Sequence, residues 1–196
     1  MKQYEYDDYW HYLITQIYTN KPRVQWTIEK ARMRAKDIRN IKKIYKGKRV
    51  LCLGCRDDAE VDDFTKNGFE AKGIDILPTK RQIVGDINRL ENYFAPGSFD
   101  IGYSCHSLEH TNDPGHFLKI IRKICTEGLY LVIPIREYPD IEEPVFLDVM
   151  KTKKPEDLKR EITPWIGEFE IAGFWIRNDT KLISGPEMAF ALVWKK

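Results

Sequence analysis

The sequence predicts a doubly wound α/β fold: a seven-stranded, mostly parallel sheet with helices on both faces and an antiparallel strand in its C-terminal part. Three observations predict it. From residue 49 onward, short apolar runs stopped by turn residues alternate with segments of helical period, the pattern of a buried parallel sheet joined by crossover helices. The first run, RVLCL, stops at Gly54, and the second ends on an acid, Asp75. The tail departs from the alternation, because 168–178 and 187–196 both read as strands with no room for a helix between them.

Taken in order, residues 1–23 form an aromatic leader that ends at Lys21-Pro22. Residues 24–45 read as a helix, since Ile28, Ala31, Ala35, Ile38, Ile41 and Ile44 recur at helical spacing. Ten of the twenty residues from Lys30 to Arg49 are Lys or Arg, which reads as a solvated basic helix face, with nucleic-acid contact as the alternative. The strand at 49–53 is followed by a helix that starts at Ala59 and stops near Asn67-Gly68. GFEAKGIDILP supplies the second strand, RQIVGDI a short third, FDIGYS the fourth and GLYLVIP the fifth. A helix over 114–125 separates the last two, opened by Asn112-Asp113-Pro114. Residues 135–167 read as a long connection before the terminal strand pair, which is expected to lie antiparallel at one edge.

Composition bounds the rest. A chain of 196 residues that is 42% hydrophobic and 12% aromatic suits one core. Its net charge of +2 supplies no field that would gather polyanions, so neither nucleic acid nor a membrane is an expected partner. An acidic, aromatic N-terminus without an apolar h-region, and no long apolar run, predict a cytoplasmic protein. The cysteines Cys52, Cys55, Cys105 and Cys125 are too sparse for a disulfide framework and are expected as free thiols.

In open parallel sheets, ligands bind beyond the carboxyl ends of the strands, so those ends carry the candidate site. Asp75 stands at the end of the second strand, about the distance after Gly54 at which a carboxylate accepts ribose hydroxyls. Asp86, just past the third strand, is placed with the next N–H, that of Ile87, to read an adenine edge. With FDIGYSCHSLEHTNDP the chain resembles the class I S-adenosylmethionine-dependent methyltransferases, in particular the group with a leucine-glutamate-histidine loop. The resemblance runs from about Gly47 to Pro134, and the terminal strands match that family's closing hairpin.

The resemblance implies a Rossmann-like domain over 47–196, with residues 1–46 as a cap over substrate and cofactor. It implies S-adenosyl-L-methionine as cofactor, held by Gly54, Cys55 and Arg56 after the first strand, Asp75 and Ile76 after the second, Asp86 and Ile87 after the third, and Ser104 and Cys105 after the fourth. The family's first loop carries an acid two residues before its first glycine and further glycines at alternate positions. Here those places hold Cys52, Arg56 and Asp58, and only Gly54 remains. Arg56 either pairs with the cofactor's carboxylate or is a surface residue of the turn.

Methyl transfer needs alignment above all, and a base only where the nucleophile holds a proton tightly. The Asn/Asp-Pro-Pro-aromatic loop of nitrogen methyltransferases is replaced by Ser104-Cys105-His106-Ser107. That favours a hydroxyl on a sugar, glycan or other small metabolite, with His106 or His110 as base and Arg136 and Tyr138, within the long connection, facing the acceptor. Phe146 and Trp165 are further lining candidates, Trp165 being more in keeping with core. The alternatives are an inactive methyltransferase-like binding module and a nicotinamide-dependent oxidoreductase. Two formal motifs carry less: in C-x-x-C the first cysteine lies inside a buried strand, and His106-Ser-Leu-Glu-His110 lacks the helix that the H-x-x-E-H zinc signature requires.

Overall fold

The computed structural model describes residues 24–108, 111, 113–135, 154–177 and 186–195, with side chains from residue 30 onward. Seven strands, β1 (Arg49–Leu53), β2 (Glu70–Asp75), β3 (Gln82–Val84), β4 (Phe99–Cys105), β5 (Cys125–Pro134), β6 (Phe169–Arg177) and β7 (Glu187–Trp194), form one sheet in the order β3-β2-β1-β4-β5-β7-β6. β1 to β5 pair parallel, and β7 runs antiparallel between β5 and β6. The expected sheet and terminal hairpin are therefore both present.

Strand alternation sorts the core into two layers. Leu51 and Leu53 of β1 face one layer with α3 (Pro114–Ile124) and α4 (Pro155–Ile166), where Phe117, Leu118, Ile121, Leu158 and Ile162 are buried. Val50 and Cys52 face the other, against α1 (Val24–Ile44) and α2 (Ala59–Lys66), with Ile38, Ile41, Val61 and Phe64. Each such aliphatic or aromatic side chain stabilises the fold by about 1.5–3 kcal/mol. α1 is secured at its end by Tyr45, whose hydroxyl is 3.1 Å from Leu129 O and 3.0 Å from Leu192 O, across β5 and β7.

The Phe-Asp opening of β4 is structural. Phe99 is buried, and Asp100 Oδ2 accepts the N–H groups of Lys48 (3.0 Å) and Arg49 (2.9 Å), fixing β1 against β4 at the end of the sheet away from the crevice.

Two expectations need correction. The connection 135–167 contains α4, a helix with Leu158, Ile162 and Ile166 at four-residue spacing and Pro155 at its first turn. In addition, β5 begins at Cys125, so α3 runs straight into it without the two residues of loop that the sequence suggested. Trp165 packs on the α3–α4 side, 3.1 Å from where a Cβ on Gly115 would stand, and so belongs to the core.

Candidate functional site

The carboxyl ends of β1, β2 and β4 converge, and the loops after them pack on one another. Gly54 has φ +62°, and a Cβ there would lie 2.7 Å from Ser107 Cβ. The loop after β4 thus makes a close approach that demands glycine here. Ser107 is in turn held by Ser104, their buried hydroxyls 2.8 Å apart.

Arg56 also adopts a left-handed conformation, φ 57°. The loop keeps a glycine-type backbone at a position where the sequence has lost its glycine. That conformation aims the Arg56 N–H at Asp75 Oδ2 (2.8 Å), while the Leu77 N–H donates to Oδ1 (2.9 Å). Asp75 is 8% exposed, and burial raises its pKa above the ordinary carboxylate value, against the backbone N–H groups and the Arg56 charge that lower it. Cys55 turns inward, its thiol 3.8 Å from Ile74 O and its pKa pushed far up by burial. All four cysteines are free, and neither member of C-x-x-C presents an accessible thiolate.

Ile76 is half-buried after β2. Asp86 caps the 3-10 segment Ile87–Asn92, accepting from the Asn88 N–H at 2.8 Å. Ile87 reaches back towards the first loop, its Cδ1 3.9 Å from the Cβ position of Gly54.

The end of β4 carries Cys105, half-buried, and then His106 with φ 58°. His106 leaves the strand in a left-handed turn, which rules out the helical H-x-x-E-H arrangement at this end. Its Nε2 lies 2.8 Å from Glu187 Oε1 at the start of β7. His110, Arg136, Tyr138 and Phe146 lie outside the described residues.

Behind His106 is a group the sequence did not single out. Asp37 of α1, 1% exposed, accepts from the hydroxyls of Tyr103 (2.9 Å) and Tyr130 (3.0 Å) and is paired with Arg177, which also reaches Glu187 at 3.4 Å. Burial raises the Asp37 pKa. Asp37, Tyr103, Arg177 and Glu187, with Lys30, Met33, Arg34, Glu60, Cys105 and His106, line a cavity of about 20 Å³. Glu60, in the first turn of α2, is 7% exposed, and its Oε2 has no hydrogen-bond partner among the described residues. Burial pushes its pKa up to about 8. A signal existed: Asp37 stands midway between Met33 and Ile41 on the buried stripe of α1, and Glu60 precedes Phe64 by four residues.

A family model described as "Methyltransferase domain" matches residues 26–169. The chain belongs to the methyltransferase-domain family. The match bears out the methyltransferase resemblance, and the sheet order is the fold shared with solved methyltransferases. Similar solved structures include a magnesium protoporphyrin IX methyltransferase from Synechocystis with bound S-adenosylmethionine (TM-score 0.61, 11% identity, covering 97% of this chain and 93% of that one). A Burkholderia thailandensis 1,6-didemethyltoxoflavin-N1-methyltransferase, with bound 1,6-didemethyltoxoflavin and S-adenosylhomocysteine, has a TM-score of 0.60 at 10% identity, over 85% of this chain and 78% of that one. A methyltransferase from Archaeoglobus fulgidus scores 0.55 at 18% identity, over 95% and 100% of the two chains. No curated protein matches the sequence. Among the described residues, no helix is long and apolar enough to cross a membrane.

Proposed function

We propose that this methyltransferase transfers a methyl group to a hydroxyl of a small acceptor, a sugar, glycan or other metabolite, in the cytoplasm, with α1 and the leader before it as a cap. The observation that carries the reading is the meeting of the loops after β1 and β4, with the Asp75 carboxylate on one side and His106 on the other. When bound, S-adenosylmethionine supplies an electrophilic methyl.

The residues present fit that group. Each Asp75 oxygen accepts one backbone N–H, which leaves lone pairs for the two ribose hydroxyls. Asp86 and the Ile87 N–H serve the adenine, Ile76 flanks it, and Gly54, Cys55, Arg56, Ser104 and Cys105 offer backbone and the Arg56 guanidinium to the methionine end. Arg56 pairs with the carboxylate in this reading.

On the acceptor side, His106 takes the hydroxyl proton as the methyl transfers. Glu187, 2.8 Å from its Nε2, orients the ring and stabilises the imidazolium that forms. Arg136, Tyr138 and His110 complete the acceptor side. A positioned base of this kind contributes about 10²- to 10⁴-fold. The test is transfer of a labelled methyl to a panel of hydroxyl and amine acceptors by the wild type, His106→Ala and His110→Ala. Labelled ether products that disappear with His106→Ala, while cofactor affinity is kept, support the reading; labelled amines, or full turnover in both variants, exclude the base.

A further inference from the structure

We propose that Glu60 is the acceptor for the ammonium group at the amino-acid end of the cofactor. The inference rests on the cofactor reading above and adds a residue that neither the loop motif nor the family resemblance points to. The carboxylates that line the cavity behind His106 are not equivalent. Asp37 is matched by two tyrosine hydroxyls and Arg177, and Glu187 by Arg177 and His106. Glu60 Oε2 is buried beside them with no hydrogen bond among the described residues. A buried carboxyl left in that state favours its protonated form, and it ionises where a cationic donor arrives to match it.

Position selects which donor. Glu60 sits two residues beyond Asp58, the helix N-cap, in the first turn of the helix that follows the loop Gly54–Asp58, which would carry the methionine end, and its cavity is lined by Cys105 and His106 at the end of β4. The cavity of about 20 Å³ has room for roughly one water-sized group, and an ammonium is of that size. Lys30 and Arg34 of α1 line the same cavity, so positive and negative side chains stand side by side, as a zwitterionic amino acid requires. The polar and charged groups about Glu60 are Lys30, Arg34 and Asp37 from α1, Asp57 from the loop, Tyr103 and Cys105 from β4, His106 just after it, Arg177 from β6 and Glu187 from β7. With its pKa pushed up to about 8 by burial, Glu60 carries a proton at pH 7 before binding. It gives that proton to solvent when the ammonium arrives.

The experiment is calorimetry at pH 7 with S-adenosylhomocysteine and its des-amino analogue, which keeps the carboxylate, on the wild type and Glu60→Gln. Gln has the shape of the protonated side chain, so the fold is retained. The wild type is expected to bind S-adenosylhomocysteine at least about tenfold more tightly than the analogue, the worth of one charge-assisted hydrogen bond. Glu60→Gln should erase that difference and leave the analogue's affinity unchanged. Titrations in buffers of different ionisation enthalpy should show proton release on binding S-adenosylhomocysteine by the wild type and none by the variant. Equal weakening of both ligands, or no weakening, overturns the ammonium role while leaving the cofactor reading intact. If the wild type binds neither ligand, both fall together.

Discussion

The backbone N–H of Arg56 donates to the Asp75 carboxylate at 2.8 Å, and it does so from a left-handed conformation. The loop after β1 is therefore fastened to the end of β2 by backbone geometry rather than by glycine content. Arg56→Gly should raise stability by about 1 kcal/mol or less, since relief of roughly 1–2 kcal/mol of left-handed strain is offset by the entropy of glycine. Affinity for S-adenosylhomocysteine should fall about tenfold if Arg56 pairs with the carboxylate. Thermal unfolding and calorimetry on one sample read both effects, and tighter binding by the variant would show that the side chain obstructs the pocket.

Gly54 faces a different constraint, because a Cβ there would stand 2.7 Å from Ser107 Cβ in addition to requiring φ +62°. Gly54→Ala is expected to cost about 2 kcal/mol or more from strain and overpacking together, a drop in Tm of roughly 4–8 °C for a chain of this size. Adding Ser107→Gly removes the clash and should recover part of the loss. An unchanged Tm in the single variant would mean that the two loops do not meet.

Arg177 lies between two buried carboxylates, Asp37 and Glu187. Arg177→Met takes the guanidinium from both, leaving Asp37 its two tyrosine hydroxyls and Glu187 its contact with His106, and the cost of breaking a buried pair on one side is about 3–5 kcal/mol. Urea unfolding measures it. A loss below about 1 kcal/mol would show that the ion pair is not retained in solution.

How much of this was legible can be judged from particular residues. RVLCL followed by Gly54, and the two terminal strands with nothing helical between them, expose the sheet because a buried parallel strand and a hairpin leave local signatures. Asp75 was legible from its strand-end position. α4 was hidden because Pro164 interrupts a pattern that Leu158, Ile162 and Ile166 otherwise make clear. The Asp37–Arg177 pair spans 140 positions of sequence, and only topology brings α1 against the end of β6. A buried acid on an apolar stripe flags that something must answer it, but the sequence does not name the partner.

Glu60 gives the account a pH signature. Its pKa rises from 4.5 to about 8 in the folded protein through burial, so the fold favours the protonated form. This contribution is fully present below about pH 4.5 and is lost as the pH rises to about 8, by at most about 1.4 kcal/mol per pH unit. Glu60→Gln should flatten that fall, so that the variant is the more stable protein at pH 8. Denaturant unfolding from pH 5 to 8.5 reads the slopes, and parallel slopes for the two proteins would place the carboxyl in water.

The most direct measurement is calorimetric titration of the wild type and Asp75→Ala with S-adenosylhomocysteine, with NAD as the control ligand. S-adenosylhomocysteine should bind the wild type and NAD should not. Asp75→Ala, which removes two hydrogen bonds to a carboxylate, should weaken S-adenosylhomocysteine binding by roughly tenfold or much more. Binding of NAD in its place, or equal affinity of S-adenosylhomocysteine for the two proteins, would contradict the site described.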